Sequence, residues 1–219
     1  RLGNQAEVPP SLEEALLLME FHRERVEAVC VALGLQANTM AAALWLLGRF
    51  YLCYSLLDFD PKHVMLAAVL VASKVDGHHL TMKEMAVTKA DPTMLMDLEV
   101  ILLEAMDFDL AFYDPFTAAY ALRCLLGEAD GGRDWQAVEE RIKRVIVYSD
   151  ALLLYPAAKI ALWATRPTAK ELQALGNVPV EDLGHLPMAA QGNLDLYKAI
   201  DRRVILCRQA FQQNKPPSL

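Results

Sequence analysis

Nine consecutive apolar residues, Val64 to Ala72, sit between an Asp60-Pro61 pair and a Lys74-Val75-Asp76 triplet. This run sets the strongest limit on what the chain can fold into. It is too short for the ~20 residues that a membrane-spanning helix needs, and it has no polar face, so it must be enclosed by other elements. Asp-Pro at its start supplies a cap and a first-turn residue that needs no amide donor. The run is therefore a helix surrounded by helices, ending in charges that are not easily hidden.

The rest of the chain shows the same period. Ser11 and Glu14 form a capping box ahead of a stripe at Leu12, Leu16, Met19, Val26, Val29 and Leu33, and Gly34 ends it. Asn38 opens a second helix, Thr81 to Lys89 is a short one, and Asp91-Pro92 opens a fifth. After Tyr113-Asp114-Pro115 a second set begins. The stripe Val138, Ile142, Val145 and Leu152 marks one of its helices. Leu196, Ile200, Val204, Cys207 and Phe211 mark the last, around 192–213. The stretches "GEADGGRD" and "NVPVEDLGHLP" read as loops. No convincing alternation of period two appears, so the fold class is all-α.

The chain also half-repeats itself. "DFDPKHVMLAA" and "LLYPAAKIALWA" each place a proline, Pro61 or Pro156, ahead of an Ala-rich buried helix. The spacing of about one hundred residues predicts two tandem five-helix units, 1–111 and 112–219.

Composition narrows the function. With 219 residues and 54% hydrophobic content there is enough chain for one large domain or two smaller ones. A net charge of −7 argues against binding carried by phosphate contacts, and so against nucleic acid. Four well-separated cysteines, Cys30, Cys53, Cys124 and Cys207, fit buried thiols in a reducing compartment. No basic leader with a cleavage site opens the sequence, and its first residue is Arg1, as in a trimmed piece.

Candidate chemical sites do not accumulate. The Asp-Phe-Asp triplets at 58–60 and 107–109 fall at helix ends, where Asp caps and turns the chain. His78-His79 has no partner with metal-ligand spacing, so no metal and no cofactor is expected. The glycines of "GEADGGRD" match no phosphate-binding pattern. The expectation is a binding module and not an enzyme.

"GRFYLCYSLLDFDPKHVMLAAVLVASKVDG", followed by "DLEVILLEAMDFDLAFYDPF", resembles a cyclin box, and within the cyclins it is most similar to the cyclin H group. "RFYL", "KVD" and "DALLLYPAAKIAL" carry that likeness, which runs from about Leu12 to Phe211 and is weak over 166–192. The resemblance implies the cyclin fold of two five-helix repeats. It implies a non-catalytic, nuclear activator of a cyclin-dependent kinase that holds the kinase C helix in its active position. For the cyclin H group the partner is the catalytic subunit of the CDK-activating kinase, with a RING-finger assembly factor and TFIIH. It further implies that Lys74 and Glu99 bind kinase backbone, with Val71, Val75, Leu103, Phe108 and Leu110 as an apolar groove.

Two departures stand out. Gly77 occupies a position that is commonly acidic in cyclins. "LLLMEFHRERVEAV" lacks the pattern by which cell-cycle cyclins dock substrate peptides, so docking of that kind is not expected. The C, K, L and T cyclin types, a TFIIB-like DNA-binding factor, and a helical enzyme or ligand carrier remain as alternatives.

Overall fold

A computed structural model describes residues 8–127, 133–176 and 194–213, and the regular structure among them is helical throughout. α1 spans Leu12–Ala32, α2 Ala37–Cys53, α3 Pro61–Val75, α4 Met82–Met85 and α5 Pro92–Ala105, with a 3₁₀ turn at Ala86–Thr88 after α4. Then follow α6 Pro115–Leu125, α7 Trp135–Tyr148, α8 Ala151–Leu154, α9 Ala157–Thr165, α10 Ala169–Ala174 and α11 Leu194–Gln213. No helix among the described residues is long and apolar enough to cross a membrane.

α3 is the centre of the first set. Asp60 accepts the Lys62 amide at 3.0 Å and Pro61 takes the first helical position. Every residue from Val64 to Ser73 is buried, and α1, α2 and α5 pack around them. Ala67, Ala68 and Ala72 let those neighbours approach closely. α5 turns Leu95, Leu98 and Leu102 toward α3, a spacing of three and four.

α6, α7 and α9 pack on one another in the second set, and α2 reaches across to α6, α7 and α8. α9 follows Pro156 as α3 follows Pro61, and it buries Ile160, Ala161, Leu162 and Ala164. Val138, Ile142 and Val145 are buried on α7, as their spacing requires. Leu152 lies beyond a break. Ser149 is extended and its hydroxyl donates to the Val145 carbonyl at 2.5 Å, ending α7, so Leu152 belongs to α8 and is only partly buried.

Three readings of burial need correcting. On α1 the buried residues are Leu18, Met19, Glu20, His22, Val26 and Cys30, whereas Leu12 and Leu16 are exposed. α1 touches α2, α3, α7 and α11, so its middle is covered on several sides and its first turns run out past that cover. On α11, Tyr197 is buried beside Ile200, Val204 and Cys207, while Leu196 is exposed. Cys30 and Cys207 are buried but Cys53 and Cys124 are exposed, because each of the latter lies in the last turn of its helix, beyond the packed stretch. Most of "GEADGGRD", all of "NVPVEDLGHLP" and the side chain of Phe211 lie outside the described residues.

Candidate partner-binding site

The site begins at the C-terminus of α3. The His78 amide reaches back to the Ser73 carbonyl at 2.8 Å and the Gly77 amide to that of Lys74 at 3.2 Å. This paired closure requires a left-handed residue, and Gly77 supplies it at φ 78°. The departure at Gly77 thus has a local cause: an acidic side chain here would carry the strain of that conformation. The acidic residue is one position earlier. Asp76 accepts from Asn38 Nδ2 at 2.8 Å and Thr39 Oγ1 at 2.5 Å, fastening the end of α3 to the start of α2.

Lys74 and Glu99 meet. They are 25 residues apart in sequence, and Lys74 Nζ lies 2.6 and 2.7 Å from the two carboxylate oxygens. The ammonium donates to both, a charge-assisted arrangement. The Lys74 side chain is 40% exposed and that of Glu99 18%, so both remain at the surface. A lysine there has a third N–H to give, and each carboxylate oxygen has a free lone pair. The pair can therefore offer a donor and an acceptor together to an incoming backbone.

Around it the apolar residues divide. Val75 and Phe108 are exposed, Phe108 at 67%. Leu103 and Leu110 are half-buried. Val71 is only 2% exposed. It faces inward from a helix covered on that side, so it belongs to the core under the groove and gives a partner almost no surface.

Phe108 owes its position to another helix end. Asp107 and Phe108 both have left-handed backbones, φ 53° and 56°. The Asp107 amide bonds to the Glu104 carbonyl and the Phe108 amide to that of Leu103, both at 2.9 Å, closing α5 without a glycine. Left-handed non-glycine residues cost on the order of 1 kcal/mol each, and here that conformation leaves a phenyl ring in solvent. The Asp-Phe-Asp triplets act as turn residues: Asp58 accepts from the Ser55 amide and Asp109 from the Ala111 amide.

The site extends beyond the residues named from sequence. Met96 and Val100 on α5 are about half exposed and share a face with Leu103, at steps of four and three. That second face, offset from the Leu95, Leu98 and Leu102 face, was the available signal. On the other side of Val75 a cavity of about 180 Å³ is lined by Trp45, Ala72, Leu110 and Phe112. The Arg49 guanidinium lies 4.7 Å from the Trp45 ring, which packs on Phe112. No cluster of His, Cys, Asp and Glu among the described residues could hold a metal.

Residues 23–111 match the cyclin N-terminal domain. The chain is 29% identical to Cyclin-H1-1 of Arabidopsis thaliana over 176 residues, 75% of this chain and 52% of that protein. It is 32% identical over 111 residues to a putative cyclin-H of Dictyostelium discoideum, 50% of this chain and 39% of that one. It thus spans about half the length, or less, of these two relatives. Among solved structures, a chain of the yeast TFIIK complex of Kin28, Ccl1 and Tfb3 superposes with a TM-score of 0.67 at 19% identity, covering 89% of this chain and 88% of that one. That likeness speaks for the fold alone, an all-helical arrangement of the cyclin type. Residues 23–111 thus carry the pattern of a cyclin N-terminal domain, nearly the whole length is matched in fold, and cyclin H proteins are among the proteins this chain is similar to.

Proposed function

We propose that this chain is the regulatory subunit of a cyclin-dependent kinase, of the cyclin H type. It binds the catalytic subunit of a CDK-activating kinase and holds that kinase's C helix in the active position. A RING-finger assembly factor and TFIIH complete the assembly, which acts in the nucleus. The yeast TFIIK complex, in which Kin28, Ccl1 and Tfb3 stand together, supports a three-protein assembly of this kind. The repeats divide at 111/112, between α5 and α6.

The observation that carries the reading is the Lys74–Glu99 pair standing at the edge of an exposed apolar face formed by Val75, Leu103, Phe108 and Leu110. An apolar face accepts one side of an amphipathic helix but leaves its register loose. A fixed donor and acceptor beside that face set the register through backbone groups. Activation follows without any chemistry on this chain. A subunit that binds the active arrangement of a kinase more tightly than the inactive one shifts the kinase toward activity by that difference in affinity.

Mixing the purified chain with the CDK-activating kinase catalytic subunit of its own organism, and following phosphate transfer to a peptide substrate, tests this. Complex formation with a large rise in kinase activity is expected. A stable, folded chain that neither binds nor activates the kinase refutes the proposal. The DNA-binding alternative is opposed by the net charge of −7; salt-sensitive retention of duplex DNA at physiological ionic strength would reinstate it.

A further inference from the structure

Away from the Lys74–Glu99 face, a groove of about 620 Å³ lies between the first turns of α1, the last turns of α2, the segment 54–57 and α8. Both sets of helices build it. Gly48 on α2 lets α8 close in, since a Cβ there would stand 3.1 Å from Leu153 Cδ1. The Arg23 guanidinium on α1 donates to Asp150 at the start of α8, which ties the third wall to the other two. The break in the chain at Ser149, between α7 and α8, brings Leu153 and Leu154 to the groove.

Met19 and Leu56 are its buried floor, and its rim is apolar and uncovered. Leu12 is 76% exposed and Leu52 73%, and Leu16 and Leu154 are exposed with them. Four large aliphatic side chains from three helices, left in water around one groove, make a patch of the kind that marks a partner site. The surplus charge beside it is negative. Arg23 and Asp150 offset one another within the lining. Asp58 is exposed and accepts from the amide of Ser55, a lining residue, at 3.2 Å, and Glu13, exposed, directly follows Leu12. Among the described residues no ion pair engages Asp58 or Glu13.

We propose that this groove is an interaction surface for a basic amphipathic helix of another protein, whose aliphatic face lies on Leu12, Leu16, Leu52 and Leu154 and whose lysines or arginines meet Asp58 and Glu13. The volume holds several side chains, as a helix laid along a groove requires. Charge selects the occupant. A second copy of this chain would bring the same carboxylates and a further charge of −7 against the rim, whereas a cationic partner is drawn to it. The proposal is independent of kinase binding, since the groove and the Lys74–Glu99 face share no residue.

Fluorescence anisotropy with the full chain tests it, using three labelled peptides of about 18 residues, five turns of helix. The first carries leucines at helical spacing on one face, with lysine and alanine elsewhere. The second replaces its lysines by glutamates, and the third scrambles the first so that its leucines share no face. The first is expected to bind about tenfold or more tightly than either of the others. Leu16→Asp with Leu154→Asp, two exposed positions, is expected to weaken that binding about tenfold or more while leaving the unfolding temperature unchanged. Equal binding of the scrambled or the glutamate peptide, or binding indifferent to the double substitution, overturns the proposal. A dimer in sedimentation that the peptide dissociates, and that the double substitution abolishes, gives the groove to a second copy and overturns it too.

Discussion

Exchanging Lys74 and Glu99 separates the two things their contact can do. If the pair serves only this chain, it is a surface ion pair of about 0–1 kcal/mol, discounted for solvent screening because Lys74 is 40% exposed. For a chain of about this length that amounts to a few degrees at most in the unfolding temperature. If the pair holds partner backbone, each charge-assisted hydrogen bond is worth about 1.5–3 kcal/mol, and losing two raises the kinase Kd about a hundredfold or more. Lys74→Glu and Glu99→Lys singly place like charges together and should weaken kinase binding strongly with small effects on folding. The double exchange restores the internal ion pair but puts an acceptor where the donor was. It should recover thermal stability and stay defective in binding, measured by calorimetric titration with the kinase. Wild-type affinity in the exchanged protein would refute the reasoning, because the contact would then matter only as an internal bridge.

Three further outcomes follow from particular residues. The His22 imidazole sits at about 4 instead of 6.5, with burial the main cause; the unfolded chain therefore takes up a proton between those values that the folded chain does not. Its share of stability is full above pH 6.5 and falls as pH drops, by about 2 kcal/mol at pH 5. Glu20 and Asp201, whose carboxyls burial raises, act in the opposite sense, so urea midpoints at pH 7 and pH 5 are compared between wild type and His22→Leu, which should lose the His22 share of the pH dependence. Gly77→Ala meets no atom within 4 Å of the new Cβ, so its cost of about 1 kcal/mol comes from the left-handed backbone alone and should appear as a lower unfolding temperature. Maleimide should label two thiols rapidly in the native chain, Cys53 and Cys124, and four only after unfolding, since burial pushes the Cys30 thiol up to about 12 and Cys207 is enclosed.

Helix boundaries were legible where local chemistry decides them. Asp60, Asp91 and Asp114, each followed by proline, cap α3, α5 and α6, and Ser11 and Thr81 form the capping boxes their spacing announces. Nine apolar residues without a polar face could only be enclosed, and α3 is. Where periodicity alone was the guide, readings held on some helices and slipped on others. α7 buries Val138, Ile142 and Val145 as its stripe indicates, and only Leu152, beyond the break, departs from it. α1, with four neighbours, buries Glu20 and His22 and leaves Leu12 and Leu16 in solvent, because burial there follows what surrounds the helix.

The candidate site shows the same division. That Lys74 and Glu99 approach to 2.6 Å is a fact about how α3 and α5 lie together, and a separation of 25 positions carries no periodic trace of it; family resemblance supplied the pairing. Met96 and Val100 were legible and were missed, since a helix with apolar residues at 95, 98 and 102 and again at 96, 100 and 103 has more apolar surface than one core can take. Val71 shows the converse: it has the right chemistry and the right neighbours in sequence, and it faces inward. Separating groove from core therefore requires knowing which side of each helix is already occupied. On α5 the surplus face carries Glu99 between Met96 and Val100, so one partner helix can meet the apolar surface and the carboxylate together. That adjacency is what a purely structural ion pair would have no reason to require.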